Sequence, residues 1–299
     1  MKRTRSQRRG FALMAVLWCV GLMTVAVLGL VSYVSLQLDE NISLAKDERA
    51  RDLALSGLAF GSHPQVKRND PLLIGPGYQA VIDGENGRLN LNVLLAQARV
   101  DILERLWTQW GLKLEDAQAL DDCLLDWVTP GDQKRLNGAK QPEYAKLGRP
   151  DAPPNRPFQS IEEIEGVIGF DKVVKLKPDW KNFFTLWSDG KLDLNEAPAD
   201  LIAAFCNVSM EQAVSFVHLR DPDGKKGSPD GYHWQSLDEA SSYLGMTASD
   251  FTLAAPLLTL QSTVWRIEST GTVGNHHHTV SVVMPRSGSN PVYSVWREF

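Results

Sequence analysis

The chain has 299 residues, 43% of them apolar, enough to bury one substantial core or two smaller ones, which excludes an intrinsically disordered protein. Its net charge of −5 is unevenly placed, because Lys2, Arg3, Arg5, Arg8 and Arg9 crowd the first ten residues with no acid among them. The remainder therefore carries ten more acids than bases, a surface that repels nucleic acid and anionic lipid.

Residues 11–33 contain no charge and no Pro. A helix rising about 1.5 Å per residue crosses a hydrocarbon core of about 30 Å over that length. The positive-inside rule puts the Arg-rich leader in the cytoplasm and everything after Gln37 on the far side. A cleaved secretory signal would end at a small-x-small site before a non-helical segment. Here residues 35–60 instead hold no Pro and only Gly57, with Leu36, Leu38, Ile42, Leu44, Leu53, Leu55 and Leu58 spaced among charges, so the helix is expected to continue. His63-Pro64 ends it, and Asn69-Asp70-Pro71 with Gly75-Pro76-Gly77 marks a loop. Two strand-like runs follow, residues 78–82 and 88–92, separated by Asp83-Gly84-Glu85-Asn86-Gly87, which reads as a hairpin turn.

Residues 96–260 read as mostly helical. Ile102, Leu103, Leu106 and Trp110 make one apolar stripe, and Leu120, Leu124 and Trp127 another. Residues 130–157 are rich in Pro, Gly, Asn and charge, too long for an ordinary connector. Helix starts are expected at Ser160, with Glu163 bonding back, at Pro198 and at Ser236. Residues 264–273, 279–284 and 292–297 are rich in Val, Thr, Ile and Trp, with Gly271, Gly274, Gly288 and Pro291 at the joints, and read as final strands. Long helix, hairpin, helical block and strands make an α+β fold, most economically one antiparallel sheet packed on the N-terminal helix with the helical block inserted.

Few residues suggest chemistry. No Ser/His/Asp or Cys/His arrangement is readable, so no enzymatic activity is expected. His276-His277-His278 on a strand would point to alternate faces and cannot converge on one ion. Asp221-Pro222-Asp223-Gly224 lacks EF-hand spacing and reads as a solvated turn. Cys19 lies in the apolar span; Cys123 and Cys206 could bridge in an oxidising compartment if their helices face one another, and each equally suits a small buried position. The helices starting near Pro198 and Met210 look like a helix-hairpin-helix, but Cys206-Asn207-Val208-Ser209 has no Gly to present backbone N–H groups to phosphate. An earlier copy, Gly166-Val167-Ile168-Gly169, has its glycines one residue too far apart, although Lys172, Lys175 and Lys177 follow it.

The basic leader ending in Gly10-Phe11 before an unbroken helix resembles the leader of type IV pilins and pseudopilins. Further stretches are similar to the protein K family of type II secretion systems: Gly87-Arg88-Leu89-Asn90-Leu91-Asn92, the acidic helix ending in Asp126-Trp127, Asn155-Arg156-Pro157-Phe158-Gln159-Ser160, Leu192-Asp193-Leu194-Asn195-Glu196-Ala197-Pro198, and the terminal Trp296-Arg297-Glu298. Major pilins carry Glu at the fifth mature position, where this chain has Ala15; protein K is the pseudopilin that typically lacks it.

The resemblance implies a type IV pilin-like protein with a cytoplasmic leader over residues 1–10, a transmembrane helix over 11–34 and its periplasmic continuation over 35–62. The first part of the pilin-like domain spans 63–95, an inserted α-helical domain 96–260 and the closing strands 261–299. It implies cleavage by a prepilin peptidase between Gly10 and Phe11, methylation of the new N-terminus, and residence in the bacterial inner membrane with the bulk in the periplasm. The implied role is a minor pseudopilin at or near the tip of the pseudopilus, priming assembly and supporting export of folded proteins. Its implied partners are the minor pseudopilins I and J, the major pseudopilin and the assembly platform, with no nucleic acid. The alternative is a DNA-binding subunit of an uptake pilus using the helix-hairpin-helix units. Family members can bind calcium in the long loop of the insert; Asp126, Asp132 and Glu143 are the ligands this implies for Ca2+, with Lys140 standing where a Glu is usual.

Overall fold

A computed structural model describes residues 5–285 and 295–299, with side chains from residue 13 onward. Helix α1 (Arg5–Ser62) is unbroken, as the absence of Pro and the single glycine, Gly57, over residues 35–60 anticipate. After a loop come β1 (Ile74–Gly75) and β2 (Tyr78–Gly84). The last strands are β7 (Trp265–Val273), β8 (His276–Met284) and β9 (Val295–Glu298). These five form one antiparallel sheet in the order β1-β2-β7-β8-β9. Of the final strand expected over 292–297, residues 292–294 lie outside the described part, as do Gly288, Pro291, Lys2 and Arg3.

The last part of α1, from about Ala50 onward, lies across this sheet. Ala54 and Leu58 pack on Ile82, Ile267, Val280, Val282 and Met284 to close a small core. Ala50 and Ala54, both fully buried, allow close approach, and Gly271 of β7 completes it, since a Cβ there would meet the Ala50 carbonyl. Small residues on both sides let backbone approach backbone.

The expected early hairpin is not formed. β2 pairs with β7 along its whole length, from Tyr78↔Gly271 to Gly84↔Trp265. The second run gives only β3 (Leu89–Asn90), which pairs in parallel with β4 (Phe184–Thr185) inside the helical block. The physical reason lies in the intervening turn: Glu85 and Asn86 are buried and bonded to distant groups, so residues 83–87 anchor the crossing between two cores instead of reversing the chain at the surface. Asn90 then accepts a hydrogen bond from Val93 N and caps α2 (Leu91–Ala96).

The block continues with α3 (Val100–Gln109), α4 (Leu114–Val128), α5 (Gln141–Lys146) and α6 (Phe170–Leu176). Beyond β4 come β5 (Leu192–Asp193), α7 (Ala199–Cys206), α8 (Met210–Arg220), α9 (Leu237–Leu244), α10 (Ala248–Ala254) and β6 (Leu258–Thr259). β5 and β6 make a second parallel bridge. The stripes read from the sequence, Ile102, Leu103 and Leu106 on α3 and Leu120, Leu124 and Trp127 on α4, face one core with Phe170, Trp180 and Phe184. That core also draws in Leu89, Leu91, Leu94 and Leu95, residues expected in the first part of the pilin body. Ser236 caps α9 and Pro198 precedes α7 as anticipated, whereas residues 161–166 form a 3-10 helix without a Ser160 side-chain cap. Glu163 instead pairs with Arg156 and accepts from Gln159 N.

Candidate functional site

The surface most exposed to a partner is α1 itself. From Leu13 to Arg49 nearly every residue is exposed, and its first part is long and apolar enough to cross a membrane. Beyond the span, Leu36, Leu38, Ile42 and Leu44 remain more than half exposed (65, 56, 51 and 62%), and together they show more apolar surface than an isolated helix should present to water. Gly10 and Phe11 lie within the α1 backbone, their side chains outside the described part.

An ion pair and a histidine hydrogen bond fasten the helix to the far side of the sheet. Arg51 donates to both carboxylate oxygens of Glu298, at 2.7 and 2.9 Å, and His276 Nδ1 lies 2.6 Å from Asp47 Oδ1. Arg51 holds the Glu298 carboxyl down at about 2, helped by the Trp296 indole N–H. His277 turns to the other side, against Thr272, so the three histidines alternate and do not share a ligand position.

A second set of charges joins the sheet to the helical block. Glu85, fully buried, accepts from Arg266 Nη2 at 2.7 Å, Arg88 Nη1 at 2.9 Å and Thr185 Oγ1 at 2.5 Å. Burial works to raise this carboxyl, but the two guanidiniums hold it below its ordinary value. Arg68, in the loop after α1, donates from Nη2 to both carboxylate oxygens of Glu196, at 2.6 and 2.7 Å, and from Nε to Ile82 O. Sequence reading missed both pairs; the density of acids around a Gly-rich turn was the available signal.

The third arrangement is the loop between α4 and α5. It folds back over the end of α4: Arg135 Nη1 donates to Asp126 Oδ1 at 2.7 Å and Arg135 N to Asp126 Oδ2, while Asn137 N donates to Asp122. Gly138 is needed here, since a Cβ would sit 1.9 Å from Asp126 Oδ2. Glu143 accepts from Lys134 Nζ and Lys140 N, and Asp132 points to solvent. Asp126, Asp132 and Glu143 therefore do not converge, and among the described residues no group of three His, Cys, Asp or Glu could hold a metal ion. The oxygens that do converge are already filled by the Lys140 ammonium. The residues present do not fit a divalent cation.

Cys123 and Cys206 are separate buried thiols, Cys123 directed at Asn137 O, and burial raises both, to about 11 and about 12. The turn between α7 and α8 places Asn207 in the left-handed region at φ 52°. The lysines after Gly169 are engaged locally: Lys172 with Asp116 at 2.7 Å, Lys175 with Asp171, and Lys177 with Asp200 and against the Phe183 ring. Asp221, expected in a solvated turn, is buried instead. It pairs with Arg220 at 2.6 Å while that guanidinium donates to the Leu194 and Ala197 carbonyls.

Residues 87–178, from the turn after β2 through α6, match the family model of type II secretion system protein K. This segment of the chain is similar to the type II secretion system protein K family. It is 26% identical over 179 residues to type II secretion system protein K of Pseudomonas aeruginosa, a match covering 56% of this chain and 49% of that protein. The aligned part thus spans about half the length of this curated relative. In fold it is similar to a chain of the crystallised GspK-GspI-GspJ complex of the type 2 secretion system of enterotoxigenic Escherichia coli, with TM-score 0.64 over 89% of this chain and 99% of that one, at 18% identity. The likeness in fold extends across the sheet as well as the helical block.

Proposed function

We propose that the chain is a minor pseudopilin of a type II secretion system that caps the periplasmic pseudopilus. The observation that carries this is α1: one helix is a membrane anchor at its start, an exposed apolar surface at Leu36, Leu38, Ile42 and Leu44, and the packing partner of the sheet from Ala50 onward. A subunit of this form is extracted from the inner membrane and packed into a bundle of like helices, with the sheet in the periplasm. The crystallised complex to which the fold is similar contains GspI and GspJ, which supports the minor pseudopilins I and J as the neighbours here. The helical block between β2 and β7 supports a terminal position, because so bulky an insertion obstructs the next subunit of a helical array. Ala15, in place of the Glu of major pilins, agrees with a subunit that has no predecessor to engage.

The test is co-expression of the full chain with the I and J pseudopilins of the same gene cluster, extraction in mild detergent, and size-exclusion chromatography with light scattering. A discrete complex of the three is expected. Failure to bind either partner, or self-assembly of this chain into long fibres, refutes the assignment. Leu36→Asp together with Leu44→Asp should weaken the complex by at least tenfold while leaving the sheet and helical block folded.

A further inference from the structure

We propose that the Lys140 ammonium is the permanent internal cation of the helical block, filling an oxygen-lined seat so that the block's fold and stability are independent of divalent metal. Nζ donates to Asp126 O at 2.7 Å, Thr129 O at 2.7 Å and Asn155 Oδ1 at 2.8 Å. An ammonium has three N–H donors, and these three oxygens saturate it. Lys140 is only 3% exposed, an unusual depth for a lysine and one tolerated where every donor is met.

The three acceptors come from two separate parts of the chain. Asp126 and Thr129 lie at the C-terminal end of α4, where carbonyls lack helical partners and the helix dipole favours a positive charge. Asn155 belongs to the extended segment that closes the long loop, held at φ 52°, a conformation Asn adopts more readily than most residues. Lys140 itself precedes α5. One ammonium thus ties the end of α4, the start of α5 and the return of the loop, the work that a bound metal does by drawing oxygens together.

A divalent ion entering this seat would need six to eight oxygens and would face a fixed positive charge within contact distance. The nearest carboxylate, Asp126, is taken up by Arg135, and Glu143 by Lys134. The positive charge that the seat requires is covalently part of the chain. Loop order therefore does not vary with the calcium concentration of the compartment.

The experiment uses the full chain in detergent micelles and follows thermal unfolding by tryptophan fluorescence, with calcium chloride or magnesium chloride added at millimolar concentration, or with EDTA. The melting temperature of the native sequence should be the same in all three, and a saturable rise with calcium that EDTA reverses overturns the proposal. Lys140→Met keeps the stem and removes the ammonium, and should lower the melting temperature by about 5 to 10 °C in EDTA and calcium alike. An unchanged melting temperature overturns the proposal as surely. Should Lys140→Met prevent folding, Asn155→Gly removes a single acceptor while suiting the positive φ. It should cost a smaller but measurable shift, and no shift there counts against the seat.

Discussion

Replacing Gly271 by alanine tests how the pilin body is held together. The added Cβ would lie 1.9 Å from Ala50 O and 2.6 Å from Ala54 N, where real contacts of this kind do not come under 3.0 Å. Both obstacles are backbone atoms of α1, so no rotamer change relieves them and the helix must retreat from β7 by about 1 Å. Such a retreat loosens Ala54 and Leu58 against Ile267 and Val280, the centre of the smaller core. Overpacking typically costs about 1–3 kcal/mol; with two backbones opposed the upper figure applies, equivalent to about 12–24 °C in the melting temperature of a body of this size. Scanning calorimetry of the full chain in detergent is the assay, and because the molecule has two cores, the transition of the body should fall while that of the helical block stays. Ala50→Gly should not rescue the variant, since the clash is with a carbonyl and not with a methyl group. A Gly271→Ala protein that melts like the native one, or a rescue by Ala50→Gly, would refute the packing argument.

Glu85→Ala leaves Arg266 and Arg88 without their buried partner and should destabilise by about 3–5 kcal/mol in denaturant titration, whereas Arg51→Ala, at the exposed edge, should leave the denaturation midpoint nearly unchanged. Burial pushes Asp121 up to about 8, against the Trp107 indole N–H that donates to it at 2.8 Å. Between pH 4 and 8 the folded state thus keeps a proton that the unfolded chain has lost, so stability should decline as pH rises through that window. Asp121→Asn should flatten the decline in thermal melts at a series of pH values, and a decline equally steep in the variant would count against it. N-terminal sequencing of the membrane-extracted protein should read Phe-Ala-Leu-Met, and Gly10→Glu should leave the leader uncut; an intact leader on the native protein would count against pilin-type processing.

Much of the architecture is legible in the order of periodicities. The unbroken helix to Ser62, the apolar stripes of α3 and α4, the Ser236 cap and the β-branched final strands all follow from local rules that tertiary contacts do not override. What the sequence could not reveal depends on long-range pairing. Residues 83–87 have the composition of an exposed turn, and only the arrival of Arg266 and Thr185 from distant strands makes Glu85 a buried anchor. The same holds for Asp221, whose partner Arg220 is adjacent but whose burial depends on the Leu194 and Ala197 carbonyls. At Lys140 the position could be read and its consequence only partly. A lysine among acids suggests a spoiled ligand set, whereas its ammonium reaches carbonyl oxygens that carry no signature in side-chain identity.

The pairing of Gly84 with Trp265 brings together two points of the chain that enclose the whole helical block. Closing so long a loop through an unfolded chain carries an entropic penalty that grows with its length. Once the block has folded, the bridges β3–β4 and β5–β6 and the Glu85 N to Val264 O hydrogen bond have already brought its two ends side by side. The central pair of the sheet then forms as if it were a short-range contact. The order of folding is thereby constrained: β2 is made early but has only the two-residue β1 beside it until the block has condensed and β7 has followed.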